Sequence, residues 1–102
     1  MRERVVINAE IADDRGGTRN VTVKGRDAWA LSELLKAGDR GCTPIDHPGP
    51  RWSGYVHKLK RKYGIQVESI NERHGGKFAG RHVRYVLRSV VLILSASETV
   101  TP

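Results

Sequence analysis

One segment, Arg51 to Arg88, constrains the fold of this chain most strongly, because a helical pattern is followed there by a hairpin pattern. Its first half repeats apolar side chains at three- and four-residue steps, which is the buried stripe of an amphipathic helix: Trp52, Val56, Leu59 and Tyr63, with Tyr55 at the edge. Gly64 follows, and strand-like runs over residues 65–70 and 81–87 flank a glycine-containing connection. We therefore predict a helix from Arg51 to Tyr63 and then an antiparallel hairpin.

The same segment holds the excess positive charge of the chain. It has ten lysines and arginines against two acids, a net charge of +8, whereas the whole chain has a formal charge of +7. A compact cationic surface binds polyanions because it releases the counterions condensed on their phosphates. Nucleic acid is therefore the favoured partner, ahead of a membrane surface. A solvated face that only keeps the protein soluble is the alternative.

Length and composition narrow the class of protein further. A chain of 102 residues suits one domain with a single core. Cys42 is the only cysteine, so no internal disulfide can form and a reducing compartment fits. The chain shows no secretory signal, and its longest apolar run, Val90 to Leu94, is too short to cross a bilayer. We expect a cytoplasmic protein without a membrane partner.

Two strand patterns and two helix patterns precede the basic segment. Alternation from Val5 to Ile11 and the β-branched run Val21 to Val23 predict an N-terminal hairpin, or a mobile arm followed by one strand. Residues 27–37 have helical periodicity, and Gly38 provides a left-handed stop. Residues 43–46, Thr-Pro-Ile-Asp, are typical of a helix start, and the prolines at 48 and 50 keep this second helix short.

The order of these elements resembles the small bacterial and bacteriophage winged helix-turn-helix domains over about residues 24–88. The residues that carry the resemblance are Trp29-Ala30-Leu31, Leu34-Leu35-x-Ala37-Gly38, Gly41-Cys42-Thr43, Pro48-Gly49-Pro50-Arg51, Tyr55-Val56-x-x-Leu59, Gly64-Ile65, His74-Gly75-Gly76 and Arg84-Tyr85-Val86-Leu87. The resemblance implies that the helix from Arg51 is a recognition helix and that the hairpin is the wing. In such folds the recognition helix enters the major groove of DNA.

The predicted fold class is therefore α+β: a winged helix-turn-helix with three helices, the second short, a C-terminal β-hairpin wing, and an additional N-terminal strand or hairpin. We divide the chain into an N-terminal segment (1–23), the winged helix-turn-helix domain (24–94) and a frayed C-terminal tail (95–102). The run from Val90 to Leu94 is either a final strand or a buried tail.

The candidate DNA contacts on the recognition helix occupy its outward side. They are Arg51, Ser53, Gly54, His57, Lys58, Arg61 and Lys62. We assign Arg61 and His57 to base edges, and Arg51, Lys58 and Lys62 to phosphates. For Lys60 and Lys62, a solvated charge at the negative end of the helix dipole is the alternative. Gly54 either admits the backbone of a partner or is a tolerated weak point of the helix.

In the wing, the candidate contacts surround the Gly75-Gly76 tip, which suits insertion into a narrow minor groove. They are Arg73, His74, Lys77, Arg81 and Arg84. An ordinary solvated hairpin that happens to be basic is the alternative. Phe78 is expected to anchor the base of the wing.

We expect no cofactor, metal or small-molecule ligand. The four histidines and one cysteine form no familiar zinc spacing. Asp13-Asp14 is expected to be a solvated turn, and no nucleophile elbow or phosphate-binding glycine loop occurs. Enzyme activity is therefore not expected, and a small nuclease that uses Asp13, Asp14 and a histidine is the weakest hypothesis.

The sequence favours a double-stranded DNA-binding protein, either a small transcriptional regulator or an accessory factor of a mobile element. The alternatives are a winged-helix module for protein–protein interaction and an RNA-binding domain that uses the same cationic surface. A homodimer that uses residues 90–94 and a monomer that buries them are both compatible with the pattern.

Overall fold

A computed structural model describes residues 2–13, 15–47, 51–75 and 80–101 of the chain. Three antiparallel strands form one sheet in the order β2-β1-β5, with bounds β1 Arg2–Ala12, β2 Thr18–Lys24 and β5 Val91–Thr101. Between them come helix α1 Gly25–Ala37, a 3₁₀ turn Gly38–Arg40, helix α2 Trp52–Arg61, and a hairpin of β3 Val67–His74 with β4 Gly80–Leu87. The hairpin β3–β4 is the predicted wing, and β1–β2 is the N-terminal hairpin.

The prediction of three helices is wrong for the described residues, which form two α-helices. The helix expected from Thr43 is a single turn, in which the His47 N–H donates to the Thr43 carbonyl at 2.8 Å. The predicted cap is present, because the Asp46 N–H donates to Thr43 Oγ1 at 3.0 Å. One capped turn forms too few hydrogen bonds to propagate a helix. Residues 48–50, which were predicted to end this helix, lie outside the described residues.

The prediction of a frayed tail is also wrong, since residues 95–101 belong to β5. Their register runs antiparallel to β1, from Asn8 opposite Ser95 to Arg2 opposite Thr101. The composition of this segment is polar, but β1 gives its backbone a hydrogen-bonded partner that local sequence does not reveal. The division of the chain into the predicted domains otherwise stays a prediction.

The core lies between α1, α2 and the inner face of the three-stranded sheet. The predicted stripe of α2 is buried throughout, with Leu59 fully inaccessible and Tyr63 8% exposed. Trp52 stacks on Tyr85 of the wing, with ring centroids 6.0 Å apart and planes 16° apart. It also packs against Trp29 of α1 at 5.4 Å. This aromatic cluster packs α2, α1 and the base of the wing together, which fixes the position of the wing relative to α2.

A close backbone contact holds the wing against the turn that follows α1. Cys42 and Tyr85 exchange both backbone hydrogen bonds at 2.8 Å, so residue 42 adds an isolated bridge beside β4. Gly41 has φ +71°, and a Cβ there would lie 2.5 Å from the Tyr85 carbonyl oxygen. Only glycine fits this position. The buried Cys42 thiol has its pKa raised to about 11, mainly by desolvation, so it is a core side chain without thiolate reactivity.

Candidate nucleic-acid interface

The outward side of α2 presents the predicted candidates to solvent. The exposed residues on α2 or directly beside it are Arg51, Ser53, His57, Lys58, Lys60, Arg61 and Lys62. Helical periodicity explains this arrangement, because the apolar stripe occupies the opposite side of the helix. Lys62 Nζ lies 5.4 Å from the centroid of the Tyr63 ring, so its ammonium group makes a cation–π contact with that ring. The structure therefore brings the helix candidates together on one exposed surface.

Gly54 lies on this side with space above it. A Cβ built at residue 54 would meet only the Cβ of Arg51, at an ordinary contact distance of 3.7 Å. No packing within the described residues therefore requires glycine here. Glycine in a helix interior costs roughly 1 kcal/mol relative to alanine, so both sequence-based interpretations stay open: a partner that approaches the helix backbone, or a tolerated weak point near the helix start.

The wing places two arginines directly opposite each other. Arg73 of β3 pairs in register with Arg81 of β4, and both are exposed. Residues opposite each other in an antiparallel ladder point to the same face, and like charges in that position destabilise the pair. An anion between the two guanidinium groups would relieve that repulsion. The pair therefore stays a candidate phosphate contact.

The other face of the wing carries an ion-pair cluster around Glu72. Arg84 Nε donates to Glu72 Oε2 at 2.7 Å, and His82 Nε2 lies 2.9 Å from Oε1. The hydrogen bond from Arg84 is the main reason that the pKa of the Glu72 carboxyl lies below its ordinary value. Arg84 Nη1 also donates to the carbonyl of Arg40 at 2.8 Å. Arg84 thus joins the wing to the 3₁₀ turn, a structural role that sequence reasoning missed.

The alternation along each strand indicates only part of that role. Residues 82 and 84 share one face of β4, and the observed register puts residue 72 on that same face. The register of a hairpin with a long connection cannot be read from local sequence. The partnership with Glu72 was therefore out of reach, and Arg84 was assigned to DNA alone.

The second acid of the basic segment is paired as well. Arg88 Nη2 lies 2.6 Å from Glu68 Oε1. Both acids of the segment are therefore occupied by Arg84 and Arg88. In the described part of the chain, the remaining cations of the segment have no carboxylate partner: Arg51, Lys58, Lys60, Arg61, Lys62, Arg73 and Arg81. The folded structure leaves most of the positive charge available to an external polyanion.

Some predicted site residues are not described by the structure. Lys77 and Phe78 lie in the connection between β3 and β4, outside the described residues. The backbone of His74 ends β3, while its side chain is not described. The roles of these residues stay predictions.

The paired acids of the N-terminal loop are partly accounted for by the turn they occupy. Asp13 Oδ1 accepts hydrogen bonds from the backbone N–H groups of Arg15 and Gly17, at 2.9 and 2.8 Å. This is the geometry of a side-chain-capped turn. Asp14 lies outside the described residues. Among those that are described, no helix is long and apolar enough to cross a membrane.

Comparison with known proteins identifies the family. A family model described as a winged helix domain matches residues 20–97, from β2 through most of β5. Neither the curated proteins nor the solved structures gave a match. The matched region contains both helices, the wing and the turn between them, and it covers more than half of the chain. The chain belongs to the winged helix domain family.

Proposed function

We propose that this protein is a non-enzymatic double-stranded DNA-binding protein, either a small transcriptional regulator or an accessory factor of a mobile element. In this proposal α2 enters the major groove, and the wing follows the backbone or an adjacent minor groove. Membership of the winged helix family supports the proposal, because the helix that follows the turn is the usual reading element in such folds.

One observation carries the proposal: the two acids of the basic segment are paired internally with two of its arginines, while its other described cations have no carboxylate partner. Glu68 and Glu72 neutralise Arg88 and Arg84, and the described cations of α2 remain exposed and without a carboxylate partner. Solubility requires net charge, which interspersed charges of both signs also supply, so it does not require that the unpaired cations lie together. Unpaired, exposed cations release phosphate counterions, which is the main source of affinity for a duplex.

The side chains have different roles according to their chemistry. Arg61 can present two parallel N–H donors to the O6 and N7 atoms of guanine, and His57 lies one turn before it. Arg51, Lys58 and Lys62 are assigned to phosphates. Arg73 and Arg81 form a further phosphate contact on the wing, where a bound anion would reduce the repulsion between their like charges.

A salt titration of duplex affinity tests the proposal. Five phosphate contacts give a slope of log K against log salt of about −4 to −5. A fourfold rise in salt therefore lowers affinity roughly 500-fold. Fluorescence anisotropy with a labelled duplex, selected from a random pool, measures this slope. Affinity that is unchanged over that range would contradict the proposal.

Two alanine variants separate base reading from general charge. We expect Arg61→Ala to cost about 1–3 kcal/mol on the selected duplex, and less on unrelated duplexes. The matched control is Lys36→Ala, which removes the same charge from α1, where the side chain is 73% exposed. An equal loss on all duplexes would make Arg61 a phosphate contact.

RNA binding is the main competing function, because A-form RNA presents the same phosphate charge. Its deep, narrow major groove does not admit a helix. A structured RNA should therefore compete with the selected duplex only as strongly as unrelated DNA does. Stronger competition by RNA would favour the alternative.

A further inference from the structure

The outer edge of strand β5 combines three features that the DNA-binding proposal leaves unexplained. In the described residues, β1 pairs with one edge of β5 and no strand pairs with the other. Large apolar side chains are exposed along its first residues, with Leu92 59%, Ile93 42% and Leu94 51% accessible. An unpaired edge with exposed apolar side chains is a template for pairing with another strand.

Lysine and proline, which commonly protect an edge strand, are absent from β5. Natural edges are blunted by lysine or proline and by inward-pointing charges. The 14 residues from 89 to 102 contain no lysine or arginine, and this is the longest such stretch in the chain. A bulge leaves Leu94 without a partner on β1, since Asn8 pairs with Ser95 and Ala9 with Ile93. The bulge interrupts the β1–β5 ladder at this one residue, and β5 continues as a strand on both sides of it.

The inner face of the sheet is also incompletely covered at β5. Ala9 of β1 is completely buried, whereas its register partner Ile93 is 42% exposed. A groove of about 310 Å³ runs between α1 and β5. Its apolar lining comes from both elements and from β1: Val5, Ile7, Trp29, Ile93 and Ala96. Helix α1 therefore covers β1 but leaves the β5 margin open.

The charge distribution of the chain indicates which partner suits the exposed edge of β5. Every copy of the chain carries a formal charge of +7, while residues 89–102 contain one acid and no basic residue. The electrostatic repulsion between two copies is strongest when their basic segments face each other, and weakest when their β5 strands do. An acidic protein would instead be drawn to the exposed cations of α2. The β5 edge is therefore best suited to a second copy of this chain.

Strand geometry agrees with that choice. An antiparallel strand that pairs with its own copy is related to it by a two-fold axis, so the same residues supply both sides of the contact. The eleven residues of β5 extend over about 37 Å. Pairing would join two three-stranded sheets into one of six strands, in the order β2-β1-β5-β5-β1-β2, and would place the two open grooves next to each other.

We propose that β5 is a homodimerisation strand, through which two copies of this protein form one continuous antiparallel sheet. The outward polar face supports the sheet across its strands, because Thr22 Oγ1 donates to Asn8 Oδ1 at 2.7 Å and Asn8 Nδ2 donates to Ser95 Oγ at 2.8 Å. The contact leaves both α2 helices outside the interface. The dimer does not depend on DNA, so its test is independent of the DNA-binding proposal.

Sedimentation equilibrium of the full chain without DNA is the first test. We expect a dimer at about 100 μM wild-type protein. Leu92→Lys adds a protective edge charge at a position that is already exposed, and we expect a monomer. Ile45→Lys is the matched control, because Ile45 is 54% exposed in the turn after Cys42, and it should remain a dimer. A monomeric wild type, or a Leu92→Lys dimer, would overturn the proposal.

A cysteine scan shows whether the strands pair symmetrically, and it does not depend on destabilising variants. Single cysteines are placed at residues 92 to 96, and disulfide cross-linking is measured under mild oxidation. The native Cys42 is buried, so the wild-type chain supplies the uncross-linked background. Two-fold pairing predicts a maximum at one position and a decline on both sides of it. Equal cross-linking at all five positions would indicate random collision and would refute the strand pairing.

Discussion

The substitution Gly54→Ala separates folding from DNA binding, because the two are expected to change in opposite directions. A Cβ at residue 54 meets nothing closer than the Cβ of Arg51 at 3.7 Å, so the added methyl group causes no clash within the described residues. The backbone of α2 at this position has no positive φ. Alanine is therefore accommodated in the folded protein without strain.

The expected gain in stability follows from the backbone entropy of glycine. Alanine is favoured over glycine in a helix interior by up to about 1 kcal/mol, and residue 54 is the third residue of α2, so we expect about 0.5–1 kcal/mol. For a domain of this size that corresponds to a rise in Tm of roughly 2–8 °C. Thermal denaturation followed by circular dichroism measures it. Destabilisation would show that Gly54 has a structural role that the packing does not reveal.

Duplex affinity should fall in the same variant. If a DNA backbone or base edge approaches residue 54, the methyl group displaces it, and a loss of about 1.4 kcal/mol lowers affinity tenfold. Ser32→Ala on α1 is the matched control, since it also raises helix propensity, by about 0.5 kcal/mol, and Ser32 lines the groove beside β5. Wild-type affinity in Gly54→Ala would refute the close approach of DNA to this helix.

Three further substitutions test the wing and the core. Lys77→Ala should weaken binding to all duplexes similarly in a filter-binding assay, because it is expected to contact phosphate; unchanged affinity would mean that the wing tip does not contact DNA. Glu72→Gln should lower the free energy of unfolding near pH 7. Because the hydrogen bond from Arg84 lowers the pKa of Glu72 in the folded protein below 4.5, the ionised carboxylate stabilises the fold above that value, and the difference from wild type should shrink in urea titrations as the pH falls through the folded pKa; a difference that stays constant as the pH is lowered would exclude the ion pair as its cause. Trp52→Ala should lower the free energy of unfolding in urea by about 3–5 kcal/mol, since Trp52 is 2% exposed; a loss below about 1 kcal/mol would contradict the packing of the aromatic cluster.

The parts of the fold that were predictable are those set by local pattern. The stripe from Trp52 to Tyr63 identified α2 and its buried side, because helical periodicity alone decides which side chains face the core. Gly38 ends α1 at the predicted residue and has a positive φ of 58°, which favours glycine, but its ψ of −135° is not that of the predicted left-handed helical stop. The hairpin followed from two alternating runs around glycines. Each of these signals is local: the stripe spans residues 52–63 and the hairpin residues 65–87.

The parts that were not predictable depend on distant partners. Strand β5 pairs with β1 across most of the length of the chain, and nothing in the polar run after Leu94 indicates such a partner. The turn at Thr43 carries a helix-start signature, but one i→i+4 hydrogen bond forms there among the described residues. Arg84 was predicted as a DNA contact because its charge was visible, while its bond to Glu72 depends on the register of the hairpin.

The same reasoning explains why the candidate site was easier to locate than to assign. Exposure along α2 follows from periodicity, so the set of candidate residues there could be chosen from sequence. Which cations are paired depends on the folded structure. Glu72 of β3 pairs with Arg84 on the neighbouring strand, and Glu68 pairs with Arg88, which lies just after β4. The distribution of lysine and arginine along the sequence therefore predicts where the basic surface lies. The ion pairs of the folded protein determine which of those side chains are free to bind a partner.

Amide chemical shifts recorded by NMR during titration with a selected duplex test the central claim most directly. The account predicts that shifts concentrate in two separated parts of the chain, residues 53–61 of α2 and the wing around Arg73 and Arg81, and that both saturate at the same duplex concentration. Shifts confined to one of these elements, or centred on β5 or the N-terminal hairpin, would contradict a single duplex-binding surface made of α2 and the wing.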